Sequence, residues 1–312
     1  MTGSEFSGAP TTIGLTGASG MVGRAILDLA GENGFKISAT SRHTPINLGS
    51  HASWRPHNLC SWAEESDLDV LYPNSGALIH AGAVIPGHAD PVSEQAMIDG
   101  NVRACLNLGE WALRKKIPVV FLSSSSVYAA PEGERIAESD RRGPSAISGT
   151  YGLSKLMAEN VFAELALRGL DVVVLRPSSI YGPGLPRGKM IWRCLDRAGH
   201  NNTIRLDQPV DDRHNLVHAR DVARACLLAL AHKRTGVFNI GAAHLVTVEE
   251  IARTCVDAVG RGDVEIDPTQ PKRGAVARFD LDCTAAARGF GYAPTVGLAE
   301  GIRDLWLREG AG

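Results

Sequence analysis

The chain has 312 residues, 44% of them apolar, and a formal net charge of −2. With no basic block and no acidic tail, this balance argues against nucleic acid or an anionic membrane as main partner, and no run approaches the roughly 18 uninterrupted apolar residues of a membrane span. The length allows two domains, or one large domain with an elaboration.

The first ten residues, MTGSEFSGAP, are small and polar and lack the basic and apolar regions of a signal peptide, so residues 1–10 are expected to form a disordered tail. Strand and helix patterns then alternate. TTIGLTG reads as a strand and 20–31 as a helix; FKISATS and GALIHAGAV read as strands, and 94–115 as a helix. IPVVFLSSSS reads as a strand, 150–168 as a helix and LDVVVLRPSS as a strand. Unbroken Val/Ile/Leu runs suit strands buried on both faces. The alternation predicts an α/β fold with a doubly wound parallel sheet of the Rossmann kind.

After about Tyr181 the rhythm changes. The Gly/Pro turn YGPGLPRGK precedes a short helix near 188–199, VFNIG at 237–241 reads as one more strand of the main sheet, and LVTVEEIARTCVDAVG reads as a helix with a threonine cap and acids in its first turn. The chain is thus expected to leave the first domain, return and leave again. Residues 11–180 with about 213–243 would form the dinucleotide-binding domain, and about 181–212 with 244–312 a smaller, discontinuous C-terminal substrate domain.

The six cysteines, Cys60, Cys105, Cys194, Cys226, Cys255 and Cys283, form no C-x-x-C and fall mostly in apolar segments. They read as buried thiols of a reducing, cytoplasmic compartment. His214 and His218 come nearest to a metal spacing but flank Leu216 and Val217 in a strand or turn, so a structural role and no metal site are expected.

Gly17, Gly20 and Gly23 lie where the first strand gives way to the first helix. Glycines there let backbone approach a pyrophosphate, and the helix N-terminus offers free N–H donors. The spacing is G-x-x-G-x-x-G rather than the G-x-G-x-x-G fingerprint, but strand and helix supply the context the motif needs. At the end of the second strand, where an acid would bind ribose hydroxyls, stand Ser41 and Arg42. A carboxylate would repel a 2′-phosphate and an arginine clamps one, which favours NADP over NAD. Further on, Tyr151 and Lys155 stand four apart in a helix and share one face. A cation beside the phenol would favour its ionised form and suit it to acid/base work.

Taken in order, these motifs resemble the extended short-chain dehydrogenase/reductases, and more narrowly the NAD(P)-dependent epimerase/dehydratase family of sugar-nucleotide enzymes. TGASGMVG is similar to the family's phosphate loop, LIHAGA to its strand end beside the cofactor, and NVRACLNLGEWA to its following helix. FLSSSSVYA resembles S-S-x-x-V-Y-G, YGLSK is Y-x-x-x-K, and LRPSSIYGPG is close to L-R-P-x-N-V-Y-G-P-G. RHNLVHARDVARA and then FNIG complete the series.

The resemblance implies hydride transfer at a secondary alcohol or ketone of a nucleotide sugar. Tyr151 would be the general acid/base, Ser124 would orient the reacting oxygen, and Lys155 would lower the tyrosine pKa and contact the nicotinamide ribose. It places around the cofactor Gly17, Ser19, Gly20, Met21, Val22, Gly23, Ser41, Arg42, Asn58, Leu59, Ala81, Gly82, Ala83, Asn101, Tyr151, Lys155, Pro177 and Ser178. Toward the substrate it places Ser125, Ser126, Ser179, Arg213 and Arg273.

The chain departs from the family pattern in three places. Ser125 and Ser126 stand where dehydratases carry an Asp–Glu pair, which argues against water elimination. Ser179 replaces the substrate-binding asparagine, and PKRGAV blurs a later R-P-G-D. Arg42 tilts the expectation toward a net 4-keto reductase using NADP, ahead of a 4-epimerase holding NAD, while Ser179 and the blurred motif keep open a reductase of a non-sugar carbonyl. A non-catalytic cofactor sensor would have no use for Tyr151. The family's dimer contact, carried over to 94–115 and 150–168, implies a homodimer. The apolar lines Leu153, Met157, Val161, Leu165 and Ala158, Phe162, Ala166 suit such a contact.

Overall fold

The computed structural model describes residues 5–86, 92–129, 135–140, 142–143, 149–206, 209–267 and 276–310. In chain order the first half runs β1 (Thr12–Thr16), α1 (Met21–Glu32), β2 (Lys36–Ser41), β3 (Ala52–Pro56), α2 (Glu65–Leu71), β4 (Ala77–His80), α3 (Glu94–Ile98), a π-helical turn (Asp99–Arg103) and α4 (Ala104–Lys115). It continues with β5 (Val119–Leu122), a 3-10 turn (Ser125–Val127), α5 (Gly149–Leu167) and β6 (Val172–Pro177). Then come β7 (Ser179–Tyr181), α6 (Met190–Gly199), β8 (Thr203–Leu206), β9 (Arg213–His214), β10 (Leu216–His218), α7 (Ala219–Ala231) and β11 (Gly236–Ile240). The chain ends with β12 (Val246–Thr247), α8 (Val248–Val259), β13 (Asp263–Ile266), β14 (Ala277–Arg278), α9 (Thr284–Phe290) and α10 (Leu298–Glu309).

A seven-stranded sheet runs in the order β11-β6-β5-β4-β1-β2-β3, and every neighbouring pair in it is parallel. β4, β5 and β6 are buried at every residue, as their unbroken apolar runs require. β1 pairs with β2 on one side and β4 on the other, so the order of strand addition reverses there and a crevice opens beyond the carboxyl ends of the strands. β3 and α2 carry no periodic apolar signal; β3 sits at the sheet edge and stays partly exposed.

The helix expected over 94–115 is continuous but contains the π turn at 99–103. α5 buries Gly152, Ser154, Lys155, Ala158, Glu159, Phe162 and Leu165, and Phe162 meets Phe121 of β5 at 4.8 Å. Leu153 and Met157 of α5, with Leu106 of α4, remain 38% exposed.

A second hydrophobic cluster joins Tyr181, Trp192, Ile204, Ile251, Ile302 and Leu305 from β7, α6, β8, α8 and α10. α8 starts as its sequence suggests: Thr247 caps the Glu250 N–H and the Glu250 carboxylate returns to the Thr247 N–H. α9 belongs elsewhere, since Phe290 packs edge-on against Phe238 of β11 at 5.1 Å.

The tail differs from expectation. Residues 5–10 are packed: Phe6 is 3% exposed in the main core, and Glu5 pairs with Arg224 at 2.8 Å. The Phe6 ring packs edge-on against Phe35 at 6.2 Å, and the ion pair ties the segment to α7. All six cysteines are free thiols, four of them buried. His218 caps α7, its Nδ1 accepting the Arg220 N–H at 3.3 Å.

Candidate active site

At the switch point the glycine loop closes against the end of β4. Gly17 has φ +71, and a Cβ there would sit 2.5 Å from the Gly82 Cα. A Cβ on Gly23 would overlap the Gly17 carbonyl oxygen. Both positions demand glycine, the first for conformation and the second for helix–loop contact. α1 begins at Gly20 with no side-chain cap and no acid in its first turn. Its first N–H groups and its positive dipole end are therefore left for an anion.

This loop forms one wall of an open cleft. Gly17, Ser19, Gly20, Met21, Val22, Gly23, Ser41, Arg42, Asn58, Leu59, Ala81, Gly82, Ala83, Tyr151, Lys155 and Pro177 all line it. Thr40, His57, Val84, Ile85, Leu122, Ser123 and Ile180 line it as well. A cleft lined by glycine backbone, with a bare helix N-terminus at its neck, suits the pyrophosphate of a dinucleotide.

At the β2 end, Ser41 is already engaged: its hydroxyl donates to the His43 carbonyl at 2.6 Å and accepts the Trp54 Nε1–H at 2.9 Å. It braces the strand end rather than offering a free hydroxyl. Arg42 beside it is exposed, and no ion-pair partner for it is found among the described residues.

The β4 wall is held from behind. Thr16 Oγ1 accepts the Gly82 N–H at 3.0 Å and lies 2.6 Å from His80 Nδ1. Burial keeps His80 neutral, its pKa pushed down to about 3. Asn101 proves to be a clamp outside the cleft wall. Its Oδ1 accepts the Val84 N–H at 2.7 Å, and its Nδ2 donates to the Val84 carbonyl at 2.9 Å and to Ser154 Oγ at 3.0 Å. The π turn carries Asn101 to this position between the wall loop and α5.

α5 brings Tyr151 and Lys155 to the cleft, and the turn after β5 brings Ser124 to Tyr151. The Ser124 hydroxyl stands close enough to the Tyr151 phenol to favour its ionised form, accepts the Ser126 N–H at 3.1 Å and lies 3.0 Å from Ser126 Oγ. Burial pushes the phenol up to about 12, and the Ser124 hydroxyl opposes the rise. The expected depression of this pKa by Lys155 is not what the geometry gives. The Lys155 amine donates instead to the Leu122 carbonyl at 2.8 Å and lies 4.8 Å from the centre of the Phe121 ring. Lys155 is 2% exposed, and burial pushes its pKa down to about 8 against the opposing pull of Cys105 and Glu159.

Beneath these residues lies a buried ion pair that the motifs do not announce. Glu159 takes Arg176 Nη2 at 2.7 Å and Nε at 2.9 Å, and the Ser123 hydroxyl at 2.6 Å. Arg176 also donates to the Tyr128 hydroxyl at 3.0 Å, which in turn donates to Asn239 Oδ1 at 2.6 Å. The network ties α5, β6, β11 and the serine turn together. Its one sequence signal is the acid one helical turn beyond Lys155.

The outer residues divide. Ser178 is buried and donates to Asn215 Oδ1 at 2.8 Å, outside the cleft. Ser125 is buried at the start of the 3-10 turn. Ser179 is exposed at the start of β7, and Arg213 is exposed on β9 away from the cleft lining. Arg273 lies outside the described residues.

The model of the NAD dependent epimerase/dehydratase family matches residues 13–241. Among curated proteins, the chain is 27% identical to a dTDP-4-dehydro-6-deoxy-D-allose reductase of Streptomyces bikiniensis, with 99% of each covered. It is 25% identical to a dTDP-glucose 4,6-dehydratase of Streptomyces niveus, covering 95% of this chain and 92% of that one. Among solved structures, a UDP-N-acetylglucosamine 4-epimerase from Bacillus cereus superposes with TM-score 0.79 at 20% identity, over 97% of this chain and 98% of that one. MoeE5 in complex with UDP-glucuronic acid and NAD superposes with TM-score 0.78 at 26% identity, over 96% and 99%. With a family match across most of its length, a parallel sheet with its crevice at the switch point and an ordered glycine loop, the chain belongs to the NAD dependent epimerase/dehydratase family and is an enzyme of the NAD(P)-dependent short-chain dehydrogenase/reductase type.

Proposed function

We propose that this enzyme is a reductase that converts a ketone of a nucleotide sugar, at C4, to a secondary alcohol with NADPH. The observation that carries the reading is Tyr151 on the wall of the cleft that the glycine loop begins, with Ser124 close enough to act on its phenol. When bound, the nicotinamide supplies the hydride to the carbonyl carbon. Tyr151, protonated at neutral pH, gives its proton to the developing alkoxide and is reprotonated from solvent. Ser124 orients the same oxygen. Lys155 grips the nicotinamide ribose from one turn along α5. Ser123 and Leu122, braced by Glu159 and by the Lys155 amine, keep the serine turn in place.

Several features support the finer points. Ser125 and Ser126 offer no carboxylate to drive elimination, which favours reduction over dehydration. The relatives named above act, by their names, on dTDP- and UDP-sugars. The β2 end holds Arg42 and no acid, which suits NADPH. We read residues about 181–212 and 244–312, α9 apart, as the unit that selects the sugar, with Ser126, Ser179 and Arg213 flanking it. The half-exposed Leu106, Leu153 and Met157 support a homodimer through α4 and α5.

The test is to incubate purified protein with NADPH and a panel of dTDP- and UDP-4-keto sugars, following loss of reduced nicotinamide and the product by mass spectrometry. Stoichiometric oxidation of NADPH with gain of two hydrogens in the sugar supports the reading. The 4-epimerase alternative draws on the NAD-bound structural likeness. It predicts NAD co-purifying with the protein and isomerisation without net oxidation.

A further inference from the structure

We propose that His57 is a second residue for the 2′-phosphate of NADP(H), and that the corner formed by Arg42 and His57 takes up a proton as that phosphate binds. The proposal rests on the NADP reading above.

The argument starts from strand pairing. β2 and β3 run parallel, with Ser41 opposite Pro56 as their last register pair. The next backbone bond runs from the His57 N–H to the Ser41 carbonyl at 3.0 Å. Residues 42 and 57 therefore emerge side by side, just past the carboxyl ends of adjacent strands, and both line the cleft. Ser41 cannot share the task, because its hydroxyl is spent on His43 and Trp54.

The charges around this corner suit a dianion. From β2 comes the Arg42 guanidinium, close enough to Cys60 to favour its thiolate. From α2 comes the Asp67 carboxylate, which favours the charged imidazole. From β4 comes His80, held neutral by its burial. Burial of His57 itself outweighs Asp67 and keeps its pKa below the ordinary value, so at neutral pH the ring is uncharged. A phosphate dianion beside the ring reverses that balance and stabilises the imidazolium. The ring then binds one proton from solvent and donates a charge-assisted hydrogen bond, while Arg42 supplies the permanent charge. NAD(H), with a hydroxyl in place of the phosphate, provides no such drive.

Isothermal titration of the intact protein with NADPH and with NADH, in two buffers of different ionisation enthalpy, reads the proton directly. At about pH 7.5 a phosphate monoester with a second pKa near 6 is already a dianion and adds little of its own. Wild-type protein is expected to take up a proton with NADPH and none with NADH. His57→Gln is expected to lose that uptake while still preferring NADPH through Arg42. Uptake unchanged in His57→Gln, with the preference for NADPH intact, overturns the role of His57 and leaves the cofactor reading standing. No preference for NADPH in wild type overturns both. A reading free of variants is the NADPH affinity of wild type between about pH 6.5 and 8.5. It should weaken with rising pH more steeply than NADH affinity, the difference being at most about tenfold per unit for one linked proton; parallel profiles overturn the proposal.

Discussion

Glu159 Oε1 accepts the Ser123 hydroxyl at 2.6 Å and the same carboxylate binds Arg176 through both its oxygens. Ser123 precedes Ser124, and Lys155 lies one turn back along α5, so a single buried acid braces the two sides of the proposed reaction centre. Glu159→Gln should leave the Arg176 charge uncompensated where both side chains are at most 2% exposed. Breaking a buried pair from one side costs about 3–5 kcal/mol. Denaturant unfolding should show that loss, and a change under 1 kcal/mol would mean that the pair does not brace the fold.

Lys155 predicts an unusual pH dependence of stability. Its folded pKa, about 8, lies below the ordinary lysine value of 10.5. Below about 8 both folded and unfolded states carry the charge, and burial costs its full amount, on the order of 3 kcal/mol. Between about 8 and 10 the folded state releases the proton while the unfolded state keeps it, so this contribution to stability rises with pH. Lys155→Met should remove the rise, as read from unfolding curves of both proteins across that range. Identical slopes would contradict the buried, partly neutral amine.

Arg42→Ala should weaken NADPH by roughly tenfold or more, the scale of a charge-assisted bidentate contact, and leave NADH nearly unchanged. Equal effects on the two cofactors would show that Arg42 does not read the 2′-phosphate.

The α4–α5 surface makes an assembly prediction. Leu106, Leu153 and Met157 are each 38% exposed on adjacent helices. In analytical ultracentrifugation wild type should sediment at twice the 33.1 kDa chain mass. Leu153→Glu with Met157→Glu should sediment at the chain mass, because a two-fold contact would place the new charges against their mates. A wild-type monomer would contradict the homodimer.

The sequence carried the site where chemistry and backbone demand coincide. Gly17 and Gly23 are legible because no other residue fits those positions, and Tyr151 and Lys155 because helix spacing puts them on one face. Legibility fails where a residue acts through a partner distant in sequence. Glu159 is an ordinary helix acid until β6 brings Arg176 beneath it. Asn101 reads as a cofactor contact until the π turn shows it bonded to Val84 and Ser154. The lowering of the Tyr151 pKa was argued from spacing, but the Lys155 amine points to Leu122. β3 was missed because ASWRP lies at the sheet edge, where an apolar run is not required. Phe6 was missed because one ring in a polar tail gives no period to read.

The central claim is that Tyr151 moves the proton while a nicotinamide moves the hydride. The most direct measurement compares wild type with Tyr151→Phe for NADPH oxidation on a dTDP-4-keto sugar, alongside NADPH affinity by titration. The account predicts turnover lowered by about a hundredfold or more, the scale of general acid catalysis, with cofactor affinity preserved. Turnover within a few fold of wild type would contradict it.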